Sequence, residues 1–166
     1  MQNFQNLIDL LDLLPHPEGG FFKETYRADL EISKSSLPSE YSGSRNASTA
    51  IYFLLNEDNH SNFHKIHQDE IWHFYQGAPL IIHCIDEHGK YWQEHLGLDL
   101  LAGQKPQIVI PGGVWFGATV LNEEGYSLVG CTVAPGFDFA DFELANRSEL
   151  LKLCPKEMEI IADLTL

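Results

Sequence analysis

The sequence predicts an all-β domain, a sandwich or barrel rather than a parallel sheet, and three observations carry that expectation. From Phe21 onward, short runs rich in β-branched and aromatic residues recur: FFKETYR, STAIYFLL, EIWHFY, PLIIHCI, KYWQEHL, QIVI and SLVGCTV. Turn-forming Gly, Pro, Asn and Asp separate them, and no strand–helix alternation interrupts the middle of the chain. With 166 residues, 44% of them hydrophobic, there is material for one core, so 1–166 reads as a single domain.

Taken in order, Phe4, Leu7, Ile8, Leu11 and Leu14 recur at helical spacing until Pro15 and Pro17 stop the pattern, which predicts a short N-terminal helix. The HPEGG stretch that follows reads as backbone geometry. Pro17 stiffens the approach and Gly19-Gly20 permit a tight turn before the first strand, while His16 and Glu18 are placed to reach a pocket mouth. Seven or eight strands come next, joined at Asn56–Asn59, Gly77, Asp86–Gly89, Gly103, Pro111–Gly113 and Asn122–Gly125. Between Glu31 and Asn46 the chain is Ser-rich and poor in apolar residues, which predicts a mobile loop serving as a lid or an edge covering. RSELLKL and KEMEIIADL, on either side of Pro155, have the spacing of two short helices that cap the sheet.

Composition removes several function classes. Ten Lys plus Arg against twenty-four Asp plus Glu leave a formal charge of -14, which repels nucleic acid and anionic membrane surfaces. No apolar run approaches the roughly 18–20 residues of a spanning helix, and the N-terminus lacks the positive flank of a signal peptide, so a cytoplasmic protein is expected. Cys84, Cys131 and Cys154 are odd in number and lack metal-type spacing, which predicts reduced thiols in or near the core.

The densest chemistry lies in SNFHKIHQDEIWHFYQGAPL, Ser61 to Leu80, which holds His64, His67, Glu70 and His73. Imidazoles and a carboxylate are donors for a first-row metal. In one regular strand, however, His64 and Glu70 would face one way and His67 and His73 the other, and only a bulge or turn would let them converge.

These residues resemble the cupin superfamily, whose first motif is G-x5-H-x-H-x3-4-E-x6-G and whose second is G-x5-P-x-G-x2-H-x3-N. His64, Glu70 and Gly77 match the first His, the Glu and the last Gly of the first motif, and Pro111 and Gly113 match the P-x-G of the second. The second histidine of the first motif falls on Ile66, with His67 one residue out of register. The histidine of the second motif falls on Phe116, its asparagine on Val120, and its leading glycine is displaced to Gly103. The resemblance thus implies a double-stranded β-helix, the jelly roll of the dTDP-sugar epimerases and seed-storage proteins. It also implies that two of four metal ligands are absent, so no metal or other cofactor is expected. HPEGGFFKETYR (16–27), DEIWHFYQG (69–77), PGGVWFGA (111–118) and VGCTVAPGFDFADFEL (129–144) resemble a cupin subgroup without an agreed reaction, over nearly the whole chain.

On the motif strand His64, Glu70, Trp72 and Phe74 share a face, expected to be the barrel interior. In FFKETYR, alternation groups Phe22, Glu24 and Tyr26 together and Lys23, Thr25 and Arg27 together. Glu70, His64 and Tyr26 are the candidate catalytic residues. Trp72, Phe74, Glu24, Arg27, His83, Trp115 and Phe116 are the candidate ligand-binding ones. Each also has a plainer role: the acid and imidazole as a structural pair, the aromatics as core, and Glu24, Tyr26 and Arg27 as a strand's solvent face. Three functions follow. The first is a barrel binding a small polar metabolite, a carbohydrate or nucleotide-sugar, with metal-independent isomerase- or epimerase-like acid–base chemistry. The second is a non-catalytic binding or storage module. The third is a metal-dependent enzyme with ligands rearranged through His67 or His83. Open sheet edges and the face of Ile71, His73 and Tyr75 call for a covering partner, most simply a homodimer.

Overall fold

The computed structural model describes residues 3–121 and 125–166, so of the turn expected at 122–125 all but Gly125 lies outside the described residues. The six-stranded sheet runs in the order β1 (Leu14–Pro15), β2 (Phe21–Arg27), β5 (Thr49–Asn56), β12 (Tyr126–Ala134), β7 (Asp69–Gly77) and β10 (Gln107–Ile110). The five-stranded sheet runs β13 (Glu143–Leu144), β6 (Ser61–Lys65), β11 (Trp115–Val120), β8 (Leu80–Ile85) and β9 (Tyr91–Leu96). Every neighbouring pair in both is antiparallel. The chain is therefore an all-β jelly roll, with short helices at its two ends.

Strand alternation fills the space between the sheets. Phe53, Leu55, Trp72, Ile82, Phe116 and Val129 point inward into one apolar cluster. Each outer face is partly covered. Helix α1 (Phe4–Leu11) sets Leu7 and Leu13 of the following turn against Leu54 and Leu128 on the back of the six-stranded sheet. Helices α2 (Arg147–Leu153) and α3 (Met158–Asp163) bury Leu150 and Ile161 over Phe63 and Ile85 on the back of the other. Helix α1 ends earlier than its apolar spacing suggests. Asp12 turns left-handed and its N–H caps the Ile8 carbonyl, which frees Leu14 and Pro15 to pair with β2. No helix among the described residues is long and apolar enough to cross a membrane.

Two features of the chain shape the site. The run from Ser61 to Gly77 is not one strand: β6 and β7 belong to opposite sheets, and residues 66–68 turn between them. The Pro111–Gly113 turn braces that corner. Gly113 N–H donates to the Ile66 carbonyl at 2.8 Å, Gly112 N–H donates to Asp69 at 2.9 Å, and a Cβ on Gly112 would stand 2.1 Å from the His67 carbonyl oxygen. The second feature is the Ser-rich segment, expected to be mobile. It is folded down instead. β3 (Glu31–Ile32) pairs with β4 (Arg45–Asn46), and Arg45, 5% exposed, grips Asp141 through two nitrogens while Gln68 donates to the same carboxylate at 2.8 Å. A paired arginine is the one thing that lets so polar a segment be partly buried.

Removing one partner of that pair strands a buried charge, so Arg45→Met should lose about 3–5 kcal/mol. The half-exposed Arg27–Glu24 pair should contribute at most about 1 kcal/mol, so Arg27→Met is a control. Chemical denaturation of both variants at pH 7 makes the comparison; equal losses would mean the segment is held by something other than Arg45.

Candidate functional site

The HPEGG turn delivers two side chains between the sheets. Gly19 sits at φ 111° with a would-be Cβ 2.1 Å from the His60 carbonyl oxygen, so the turn can press against the start of β6 only as glycine. Asn62 then clamps the Glu18 carbonyl twice, by its backbone N–H and its side-chain amide, each at 2.7 Å. The Asn62 carbonyl in turn accepts from Nδ1 of His64 at 2.8 Å. That bond fixes the imidazole with its proton on Nδ1 and turns Nε2 toward the Glu18 carboxyl, 3.2 Å away. His16 Nδ1 approaches the same carboxyl oxygen at 3.3 Å and also accepts the Glu18 backbone N–H. Ser61 donates to the other carboxyl oxygen at 2.9 Å.

Burial decides the protonation of this group. It pushes Glu18 well above the usual carboxylate range, helped by the nearby Glu70 carboxyl and only partly opposed by Ser61. It holds His64 down at about 3 and His16 at about 4. Burial therefore favours the protonated carboxyl for Glu18 beside a neutral His64, a couple whose Oε2 and Nε2 lie 3.2 Å apart.

These residues line a cavity of about 270 Å³ together with Glu70 from β7, Cys131 from β12 and Glu24 and Arg27 from β2. Burial raises Glu70 to about 7, opposed by a hydrogen bond from the Cys131 thiol. Among the described residues no basic side chain pairs with it. Phe22, Phe137 and Phe139 form the aromatic part of the wall, with the Phe139 ring stacked at 26° to His16. At the rim each guanidinium nitrogen of Arg27 has a partner: Nε and Nη2 hold Glu24 at 2.9 and 2.7 Å, Nη1 reaches Asn46 and Nη2 the Phe137 carbonyl.

Of the candidate residues, Glu70, His64, Glu24 and Arg27 meet at this cavity and six do not. A bulge in β2 between Glu24 and Tyr26 breaks the expected alternation, turning Arg27 onto Glu24's face and Tyr26 outward, 56% exposed. Trp72, Phe74 and Phe116 do face inward, but as core: Trp72 packs edge-on to Phe53 and to Phe116. Trp115 faces the other way, into the cluster under α2 and α3, with the Lys65 ammonium 4.2 Å from its ring centroid. His83 is on the outer face of β8, bonded to Tyr91 and Thr119. The alternation argument missed Cys131, Phe137, Asp138 and Phe139, which reach the cavity from a strand and a loop distant in sequence; the Phe-rich APGFDF stretch holds the last three, and Cys131 had no signal of its own.

The donor set does not fit the metal that many cupins hold. Ile66 and Phe116 carry no donor where two ligands would stand, and the Phe116 ring centroid lies 4.2 Å from that of His64. His67 in the corner turn faces Asp141 at 4.0 Å, so neither it nor His83 completes a set. Among the described residues no cluster of three or more His, Cys, Asp or Glu is arranged around one ion position.

An uncompensated carboxyl also leaves a mark on stability. Folding raises Glu70 from 4.5 to about 7, so its contribution is harmless at low pH and grows unfavourable as pH climbs through that window. Glu70→Gln should therefore gain on the parent by about 2–3 kcal/mol between pH 5 and pH 8. Parallel denaturation curves at the two pH values measure it; a gap that does not change with pH would mean Glu70 ionises freely.

The comparisons agree with this fold. The family described as "Cupin superfamily (DUF985)" matches residues 5–145. A Saccharomyces cerevisiae protein, "Uncharacterized protein YML079W", is 33% identical over 159 residues, 90% of this chain and 79% of its own. The crystal structure of protein SO0799 from Shewanella oneidensis superposes with TM-score 0.90 at 38% identity, covering 100% of this chain and 99% of that one. A hypothetical protein from Leishmania major gives 0.88 at 31%, covering 99% of each. The chain belongs to the cupin superfamily, in the branch represented by these relatives.

Proposed function

We propose that the cavity binds a small, non-anionic polar metabolite of the carbohydrate kind and moves a proton on it without a metal. The observation that carries this reading is the Glu70 carboxyl, buried without a cation partner and facing the Glu18–His64 couple across an apolar-walled space. Groups whose environments separate their protonation in this way are suited to acid–base work. Near neutrality Glu70 gains and loses a proton readily, while the couple holds one. A C–H next to a carbonyl can lose its proton to one of them and regain a proton on the neighbouring carbon, with no oxidant or co-reactant. The second acid is thus Glu18 rather than Tyr26. Phosphorylated and nucleotide-linked sugars are disfavoured because Arg27, the permanent cation among the lining residues described, has its guanidinium nitrogens engaged.

Two further parts of the reading rest on separate features. The outer face of the six-stranded sheet leaves Tyr75 and Val109 about half exposed beside Ile71, His73 and Tyr52, and a second copy of the chain is the simplest cover. Light scattering should give a dimer at micromolar concentration; a monomer overturns it. Three buried, unpaired thiols suit the reducing cytoplasm.

The activity is tested by incubating the protein in D2O with free sugars, amino sugars and short hydroxycarbonyl compounds, followed by proton NMR. Loss of a C–H signal next to a carbonyl, abolished in Glu70→Gln and Glu18→Gln, is the expected result. A compound that raises the melting temperature yet is recovered undeuterated makes the protein a binding module instead.

A further inference from the structure

The cavity's charges are unbalanced in a way that specifies its ligand. Glu18, Glu24, Glu70 and Asp138 face it against one guanidinium, and the two imidazoles are held neutral by burial. Three of the four carboxyls are already satisfied. Glu18 is bonded to His64 and Ser61, Glu24 to Arg27, and Asp138 caps the Ala140 N–H at 2.8 Å. Glu70 is the exception. It is 8% exposed and lines the cavity, and among the described residues the Cys131 thiol is the side-chain donor that meets it. A thiol is a weak donor and cannot neutralise a carboxylate.

An independent feature points the same way. The rings of Phe22, Phe137 and Phe139 line the same cavity, and aromatic faces attract cations and repel anions. An anionic ligand would meet carboxyls, aromatic rings and an arginine already bonded to Glu24, Asn46 and the Phe137 carbonyl. A neutral hydroxyl would bond to Glu70 but leave its charge in place. A cation would remove it.

We propose that the ligand carries a primary or secondary ammonium group that sits on Glu70, with its uncharged remainder against Phe22, Phe137 and Phe139. This rests on the proposed binding function and deepens it by giving Glu70 the anchoring of the ammonium. A charge-assisted bond between ammonium and carboxylate in a site sheltered from water is stronger than any the hydroxyl can make.

Two scaffolds, each carrying an amine, a hydroxyl or a carboxylate at one position, test the idea by calorimetric titration at pH 7.5: glucosamine, glucose and glucuronate, and benzylamine, benzyl alcohol and benzoate. In at least one scaffold the amine should bind at least about tenfold tighter than the alcohol, with no detectable binding of the carboxylate. In Glu70→Gln that preference should vanish while the alcohol still binds. An alcohol as tight as its amine, or an amine preference that survives in Glu70→Gln, overturns the ammonium assignment and leaves the pocket reading standing. Failure of every probe at millimolar concentration overturns both.

Discussion

Asn62 is the residue on which the site depends. Its backbone N–H and side-chain amide both take the Glu18 carbonyl, and its own carbonyl takes the His64 Nδ1 proton. Glu18 comes from a turn leading into the six-stranded sheet and His64 from a strand of the five-stranded one. One residue therefore ties the two sheets together at the point where an acid and an imidazole must meet, and selects the tautomer that makes their meeting a hydrogen bond. Hydrophobic burial closes the barrel, but it is indifferent to rotation of a ring or a carboxyl. The amide bonds supply the direction that burial lacks.

The two arginines near the mouth show how context separates similar chemistry. Arg45 is buried with Asp141 and Gln68, and it holds the Ser-rich segment against the loop that carries Phe137 and Phe139. Arg27 is half exposed and links β2 to Asn46 and to the Phe137 carbonyl. Both support the same loop, one from within the protein and one from the rim. The aromatic wall of the cavity is therefore held in place by charge pairs rather than by packing alone.

Much of this was legible in the sequence. Turn residues between β-branched runs gave the strands, and helical spacing placed α1, α2 and α3 within a few residues. His64 and Glu70 do line one cavity, although the carboxyl that His64 meets is that of Glu18. Alternation along a single strand was the argument, whereas a corner at residues 66–68 sends the two residues to opposite sheets that face each other. The same argument failed for Tyr26 because a bulge is a one-residue event with no compositional signature in KETYR. It misplaced Trp72 and Phe116 because facing inward does not distinguish the packed floor of a barrel from its open end. Sequence spacing hides the ion pair that helps hold the Ser-rich segment, because Arg45 finds Asp141 ninety-six positions away.

The buried titratable groups pull stability in opposite directions, and this bears on what the site is for. Glu70 and Glu18 are raised by burial, so each weakens the fold as pH rises above the ordinary carboxylate range. His16, His64 and His83 are lowered, so each weakens it as pH falls below about 6.5, the ordinary histidine value. Glu18 and His64 partly relieve each other through their shared proton, and His83 is satisfied by Tyr91 and Thr119. Among the described residues Glu70 has only the weakly donating Cys131 thiol to relieve it. A purely structural core would be better served by an apolar side chain at that position, because an unpaired buried carboxyl costs stability wherever it ionises. The cost is smallest when something outside the chain supplies the missing partner, so a ligand that pairs with Glu70 recovers stability that the chain alone gives up.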